Sequence, residues 1–323
     1  MQRKLYKVSV IGCGRWGSFI AKYLSDLGHA VTLYGRAGSR RMGELLATRK
    51  NALMELPAGV TLTTSIDDAV KADVLVVSIP SQELRALLRA LSEKASLPKT
   101  LVLCMKGLEI GTGKRLSTVA REELGDGAKI AVWIGPGHVQ AFCAGIPNCM
   151  VIDSDDEETK RALVDAFSSE LIRFYYGQDL TGNEIGAAAK NVVGIAAGFL
   201  DGLGVPSLKG ALMSRGTHEI ARLIGAIGGN PNSAYGLCHL GDYEATLFSP
   251  YSHNRAFGEA FARGESFEGL AEGYYTVRAL VDLADATGVD LPICRAVEAV
   301  LYRGESLSDC IKQLFERSLK PEF

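Results

Sequence analysis

Three glycines set the strongest constraint on this chain. Gly12-Cys13-Gly14-Arg15-Trp16-Gly17 follows the β-branched run Val8-Ser9-Val10-Ile11 without a break and opens the amphipathic stretch Ser18–Leu27. At a first strand-to-helix junction each glycine of a G-x-G-x-x-G has its own task. Gly12 permits the tight turn, Gly14 lets backbone approach a pyrophosphate, and Gly17 seats the helix on the strand, while the helix N-terminus offers unpaired N–H groups to the anion. A glycine-rich turn holding no ligand is the alternative, and it would give up backbone entropy at three positions for nothing. A doubly wound sheet that binds NADPH or NADH is therefore expected.

The N-terminal half repeats that grammar. Apolar runs at Lys7–Ile11, Ala30–Tyr34, Val74–Ile79, Thr100–Met105, Ile130–Ile134, Cys149–Ile152 and Ile172–Tyr176 read as strands of a mostly parallel sheet. Amphipathic segments Phe19–Leu27, Gln82–Leu91, Arg115–Leu124 and Glu157–Phe167 lie between them. After about residue 180 strand runs vanish, and Ala-, Leu- and Gly-rich helical segments follow at Asn183–Leu200, Gly210–Ile227, Asn254–Arg263, Leu270–Thr287 and Leu291–Tyr302. The fold class is α/β, with an N-terminal Rossmann-type dinucleotide-binding domain over 1–180 and a C-terminal all-helical substrate and catalytic domain over 181–323. No flexible linker separates them, so a firm packing that leaves a cleft is expected.

Composition excludes several partners. The formal net charge is −2, with 22% charged and 47% hydrophobic residues, so no field draws the chain to nucleic acid or to an anionic membrane. Seven scattered cysteines without a C-x-x-C suit free thiols in a reducing cytoplasm. No run reaches the ~18 apolar residues of a membrane span, and Val8–Ile11 is far shorter than a signal-peptide core of about 7–15 residues. The five histidines show no metal-ligand spacing, and no metal is expected. Gly107-Leu108-Glu109-Ile110-Gly111-Thr112-Gly113-Lys114 resembles a phosphate loop only superficially, because Arg115 stands where the hydroxyl residue is needed.

The second strand ends Tyr34-Gly35-Arg36, with no acid to meet a ribose 2′-hydroxyl. Arg36, with Arg40 and Arg41, instead suits a 2′-phosphate or a stack on adenine, which favours NADPH. Arg40 and Arg41 also fit a plain solvated helix start. Further on, Glu184–Gly198 is a helix of small and apolar residues interrupted by Lys190 and Asn191. Such a helix is packed all round, and an unpaired ammonium there is costly. A desolvated lysine beside other cations has a lowered pKa and exchanges a proton with a substrate hydroxyl; a lysine snorkelling from a surface stripe is the other reading.

With these motifs in place the chain resembles, almost end to end, the bacterial type of NAD(P)H-dependent glycerol-3-phosphate dehydrogenase. The likeness lies in Gly12-x-Gly14-x-Trp16-Gly17, Val77-Ser78-Ile79-Pro80-Ser81, Lys106-Gly107-Leu108-Glu109, Gly135-Pro136 and Lys190-Asn191-Val192. It continues in Lys209-Gly210-Ala211-Leu212 with Ser214-Arg215-Gly216, Gly241-Asp242, Asn254-Arg255 with Phe257-Gly258, and Glu272-Gly273. The resemblance implies that Lys190 is the acid/base at the substrate C2 oxygen, with Asp242 and Lys106 lining the same site. It implies cofactor contacts from Gly12, Gly14, Arg15, Trp16, Gly17, Arg36, Lys106, Val139, Arg255 and Glu272. It implies substrate contacts from Lys106, Gly135, Asn191, Thr246, Ser252, His253 and Asn254.

Three positions depart from the family pattern. His253 replaces an arginine in Ser252-His253-Asn254-Arg255, Gly137 stands where a Ser, Thr or Asn is usual, and Ser207 stands where Asn is common. His253 is either a weaker phosphate ligand or a surface loop residue. The implied reaction interconverts sn-glycerol 3-phosphate and dihydroxyacetone phosphate and feeds glycerophospholipid synthesis, in a cytoplasmic homodimer acting on a small phosphorylated substrate. Two alternatives stay open: a related two-domain dehydrogenase acting on another small 2-hydroxy or 2-keto compound, and a non-catalytic NAD(P)H-binding sensor.

Overall fold

The computed structural model describes residues 3–94 and 100–318. Its strands are β1 (Lys7–Ile11), β2 (Ala30–Tyr34), β3 (Thr61–Thr63), β4 (Val74–Val77), β5 (Thr100–Leu103), β6 (Lys129–Ile134), β7 (Asn148–Ser154) and β8 (Ile172–Tyr176). They form one sheet in the order β3-β2-β1-β4-β5-β6-β7-β8. All neighbours are parallel except β6 and β7, which run antiparallel. The order reverses between β2-β1 and β4, the place where an open α/β sheet leaves a crevice at its strand ends. The glycine-rich loop sits there, at the end of β1.

Helices α1 (Arg15–Asp26), α2 (Arg40–Thr48), α3 (Ile66–Ala69), α4 (Leu84–Ser92), α5 (Leu116–Leu124), α6 (Val139–Cys143) and α7 (Glu157–Phe167) accompany the sheet. Then come α8 (Leu180–Gly202), α9 (Lys209–Ala226), α10 (His253–Arg263), α11 (Glu272–Thr287), α12 (Pro292–Arg303) and α13 (Leu307–Phe315). Two compact units result. One comprises residues up to Lys106 with Lys114–Glu184, and the other Gly107–Gly113 with residues from Ile185 onward. The division falls inside α8 rather than at residue 180, and the excursion Gly107–Gly113 places Leu108, fully buried, in the core of the helical unit.

Burial explains the strands. The four residues of β4 are all buried, as expected of a parallel strand covered on both faces. It stops at Val77 rather than Ile79: the Ser78 N–H still donates to the Ile11 carbonyl at 2.8 Å, but Pro80 has no N–H with which to carry the ladder on. The core of this unit gathers on Trp133, which is completely buried on β6 with the Phe167 and Phe174 rings against it at 5.9 and 4.9 Å.

Candidate active site

Helix α8 carries glycine at 186, 194, 198 and 202, and Lys190 completes the register. At about 3.6 residues per turn these positions run down one stripe. Where the stripe lacks side chains, backbone comes close. A Cβ on Gly194 would lie 2.8 Å from Thr246 Cγ2, one on Gly198 2.1 Å from the Arg255 carbonyl oxygen, and one on Gly202 2.6 Å from Ala262 Cβ. The chain from Thr246 to Ala262 thus rides directly on α8, and Lys190 is the one long side chain on the stripe.

That lysine has a built environment. Its Nζ lies 2.6 Å from Asp242 Oδ2 and donates to Thr246 Oγ1 at 2.8 Å. Lys190 is 7% exposed, Asp242 1% and Thr246 2%. Two short turns supply the partners, Leu240–Asp242 and the wide turn Glu244–Phe248. An ammonium so desolvated is tolerable only with a carboxylate and a hydroxyl in place. The burial also rules out the snorkelling alternative.

Asn191, the next residue on α8, accepts a hydrogen bond from Asn254 Nδ2 at 3.1 Å, and Asn254 Oδ1 accepts from the Gly273 N–H at 2.9 Å. Gly273 has no room for a side chain, since a Cβ would meet the Asn191 carbonyl oxygen at 2.6 Å. Lys190, Asp242, Thr246, Asn191 and Asn254 are therefore joined through one helix, and Glu272 begins α11 beside Gly273.

Other expected contacts are differently employed. Ser252 caps α10, its hydroxyl accepting from the Arg255 N–H at 3.3 Å. His253 is exposed, with Nδ1 3.3 Å from the Leu270 carbonyl oxygen. Arg255 directs Nη1 at Asp201 and Glu259, 2.8 Å from each, and Nε at the Ser249 carbonyl. These groups tie α10 to the end of α8, where Lys209 also reaches Asp201 at 2.7 Å.

In the sheet unit, Gly12 adopts φ +111°, and a Cβ there would lie 2.1 Å from the Ser78 carbonyl oxygen. A Cβ on Gly17 would lie 1.8 Å from the Gly12 carbonyl oxygen, so helix and strand are in backbone contact. Gly14 is open by contrast, with Arg41 Nη1 the nearest atom at 3.8 Å. An uncovered backbone at a helix N-terminus fits the pyrophosphate of a dinucleotide. Arg15 is exposed at the start of α1, and Trp16 packs against the Phe19, Phe142 and Trp133 rings at 5.4, 6.1 and 6.3 Å.

The three arginines separate. Arg40 lies 3.4 Å from Glu44 on its own helix, the solvated helix start, whereas Arg41 leans over Gly14 and Arg36 stands exposed with Nη1 3.4 Å from Glu83. Lys106 Nζ donates to the Gly135 carbonyl at 2.6 Å. Val139 is buried at the start of α6. Gly137 has a cause as well: its φ is +151°, and a Cβ would lie 2.4 Å from Phe142 Cε2. Among the described residues no helix is long and apolar enough to cross a membrane.

A mostly parallel sheet with an open glycine turn at its switch point, in a chain that also has a helical unit holding a desolvated lysine–carboxylate pair, defines a dinucleotide-dependent oxidoreductase. Family models narrow this further. Residues 7–160 match the N-terminal and residues 179–312 the C-terminal model of NAD-dependent glycerol-3-phosphate dehydrogenase. The chain belongs to that family. It is 35% identical to the glycerol-3-phosphate dehydrogenase (NAD(P)+) of Prosthecochloris aestuarii, over 98% of this chain and 99% of the relative. It is 37% identical to the enzyme of that name from Streptomyces coelicolor, over 99% of each. The crystal structure of the Coxiella burnetii glycerol-3-phosphate dehydrogenase superposes with a TM-score of 0.91 at 24% identity, covering 97% of this chain and 99% of that one, which shows the shared fold.

Sequence reasoning found Lys190 because a cation in a glycine–alanine helix is conspicuous. It missed His239 and Tyr243, both fully buried beside Asp242. The four-residue glycine register of α8 was the available signal.

Proposed function

We propose that this protein interconverts dihydroxyacetone phosphate and sn-glycerol 3-phosphate. Bound NAD(P)H supplies the hydride that reduces the C2 carbonyl. Lys190 donates the proton to the C2 oxygen and, in the reverse direction, the amine takes it back. Asp242 accepts from the ammonium and balances its charge where water cannot. Thr246 accepts from the same ammonium and helps to fix its direction. Lys106 is assigned to the substrate oxygens, oriented by the Gly135 carbonyl. Asn191, Asn254 and His253 are assigned to the phosphate, and Arg15, Trp16, Arg36, Val139 and Glu272 to the cofactor, while Ser252 and Arg255 serve to hold α10 in place.

One observation carries this reading: the desolvated Lys190 ammonium, 2.6 Å from the Asp242 carboxylate, on a helix whose next residue is Asn191. The decisive experiment follows NADPH absorbance with dihydroxyacetone phosphate and with a panel of 2-keto acids. Turnover with the phosphorylated ketone alone supports the assignment, and turnover only with a 2-keto acid refutes it. His253→Arg belongs in the same assay. A fall in KM confined to the phosphorylated substrate would assign residue 253 to the phosphate, and no change would return it to the surface. A cytoplasmic homodimer supplying glycerophospholipid synthesis goes with this reading, and light scattering of the purified chain tests the dimer.

A further inference from the structure

The mechanism gives no task to the buried polar group that stands beside Asp242, the His239 ring. His239 has no exposure, and it lies three residues before Asp242. Its Nδ1 is 2.8 Å from the Gly186 carbonyl oxygen. A carbonyl only accepts, so Nδ1 carries the hydrogen, and Nε2 of the neutral ring is left as an acceptor. The Tyr243 hydroxyl fills that role at 2.7 Å. Tyr243 is also fully buried.

Sequence positions make this arrangement informative. Gly186 is one helical turn before Lys190, and Tyr243 directly follows Asp242. The Asp242 N–H also donates to the His239 carbonyl at 3.0 Å. Both flanks of the carboxylate are therefore held: residue 239 to the helix that carries the lysine, and residue 243 to the ring of residue 239. Gly186 is part of the device, because a Cβ there would lie 3.0 Å from His239 Cβ.

We propose that His239 is a positioning residue for the reaction, clamping the turn that carries Asp242 onto α8 so that the carboxylate stays aimed at Lys190. It rests on the proton-transfer role given to Lys190. A leucine and a phenylalanine would fill this space without any hydrogen bonds to satisfy, whereas a satisfied polar network selects one arrangement among many. Burial holds the ring neutral, its pKa pushed down to about 4, so the clamp does not add charge to the pair. The charged groups that act on the ring are Lys190 and Asp242.

Three variants of the full chain test the clamp, with Lys190→Met as comparator. His239→Ala removes both bonds, His239→Asn keeps an N–H donor in reach of the Gly186 carbonyl, and Tyr243→Phe removes only the lock on Nε2. His239→Ala is expected to lower kcat by about tenfold or more, since small misplacements of catalytic groups are costly. NADPH affinity, read by fluorescence titration, should stay within about twofold. An ammonium whose carboxylate has moved away gives up its proton more readily, so the high-pH limb of kcat should move down by about half a pH unit or more.

His239→Asn should recover most of the loss and return the limb. A packing role would lower the yield of folded protein and leave the limb where it is. Equal losses in the Ala and Asn variants, or a His239→Ala enzyme with unchanged kcat and limb, overturn the proposal. Should His239→Ala not fold, Tyr243→Phe decides: a displaced limb supports the clamp, and an unmoved one overturns it. Near-normal turnover by Lys190→Met would remove the proton-transfer role first, an outcome distinct from the others.

Discussion

Lys190 Nζ and Asp242 Oδ2 stand 2.6 Å apart with almost no solvent exposure, so neither charge is stable there without the other. Lys190→Met should lower kcat by about 10²–10⁴, the usual worth of general acid–base transfer. It should also cost about 3–5 kcal/mol of stability, because Asp242 is left buried and charged without its ammonium. A Lys190→Met/Asp242→Leu double variant separates the two effects, regaining stability in thermal melts while remaining inactive. If the double variant melts no higher than the single one, the pair is not the stabilising unit described here.

How much of this was legible beforehand depended on how local each cause is. Strands β1, β2 and β8 match their apolar runs end to end, since a run of buried β-branched or aromatic residues is its own signal. Strand β3 escaped because Thr61–Thr63 is a short, partly exposed edge. Helices α2, α3 and α13 were passed over because they are short, nine, four and nine residues long. Their N-caps Ser39, Ser65 and Ser306 accept from the N–H groups of Met42, Asp68 and Asp309, and these were the signals to weigh. The run Cys149–Ile152 of β7 was read as a strand, but its antiparallel direction was not legible, because an apolar run does not state its direction. Lys190 announced itself, but the meaning of His239 depends on a fold that brings residue 239 to residue 186.

Cofactor choice should follow the arginines. With no acid after β2, Arg36 exposed and Arg41 leaning over Gly14, NADPH should bind at least as tightly as NADH. Arg36→Ala and Arg41→Ala should each weaken NADPH by up to about tenfold (1.4 kcal/mol) and leave NADH nearly unchanged. Fluorescence titration checks both. NADH binding more than about tenfold tighter than NADPH in the parent chain would refute the assignment.

The glycine stripe makes a stability prediction with an internal control. Gly198 and Gly258 meet backbone to backbone, and a Cβ on Gly258 would lie 2.2 Å from the Ile195 carbonyl oxygen. Gly198→Ala should therefore cost about 1–3 kcal/mol and raise KM for the phosphorylated substrate, because α10 carries Asn254. Gly210→Ala, also helical but with nothing within 4 Å, should instead stabilise by up to about 1 kcal/mol. Equal melting shifts for the two variants would mean that the close helix crossing is not what the glycines serve.

Glu219 gives a pH dependence with a definite sign. Helix α12 has no side-chain cap of its own, and the buried Glu219 carboxylate of α9 accepts from the Ile293 and Cys294 N–H groups at 2.9 and 3.0 Å. Burial pushes its pKa up from 4.5 to about 7, against the pull of those two donors. Between these values the folded chain holds a proton that the unfolded chain has released, so stability falls as pH rises. The contribution is full below about 4.5, the unfolded value, and is lost as pH passes through about 7. Glu219→Gln removes the titration but also one of the two acceptors, since an amide nitrogen only donates. The variant should be the less stable near pH 5, and the difference should shift in its favour by an amount on the order of 1–3 kcal/mol between pH 5 and pH 8. A parent-to-variant difference that is the same at both pH values would show that Glu219 does not titrate in this range, and would leave it a cap without a switch.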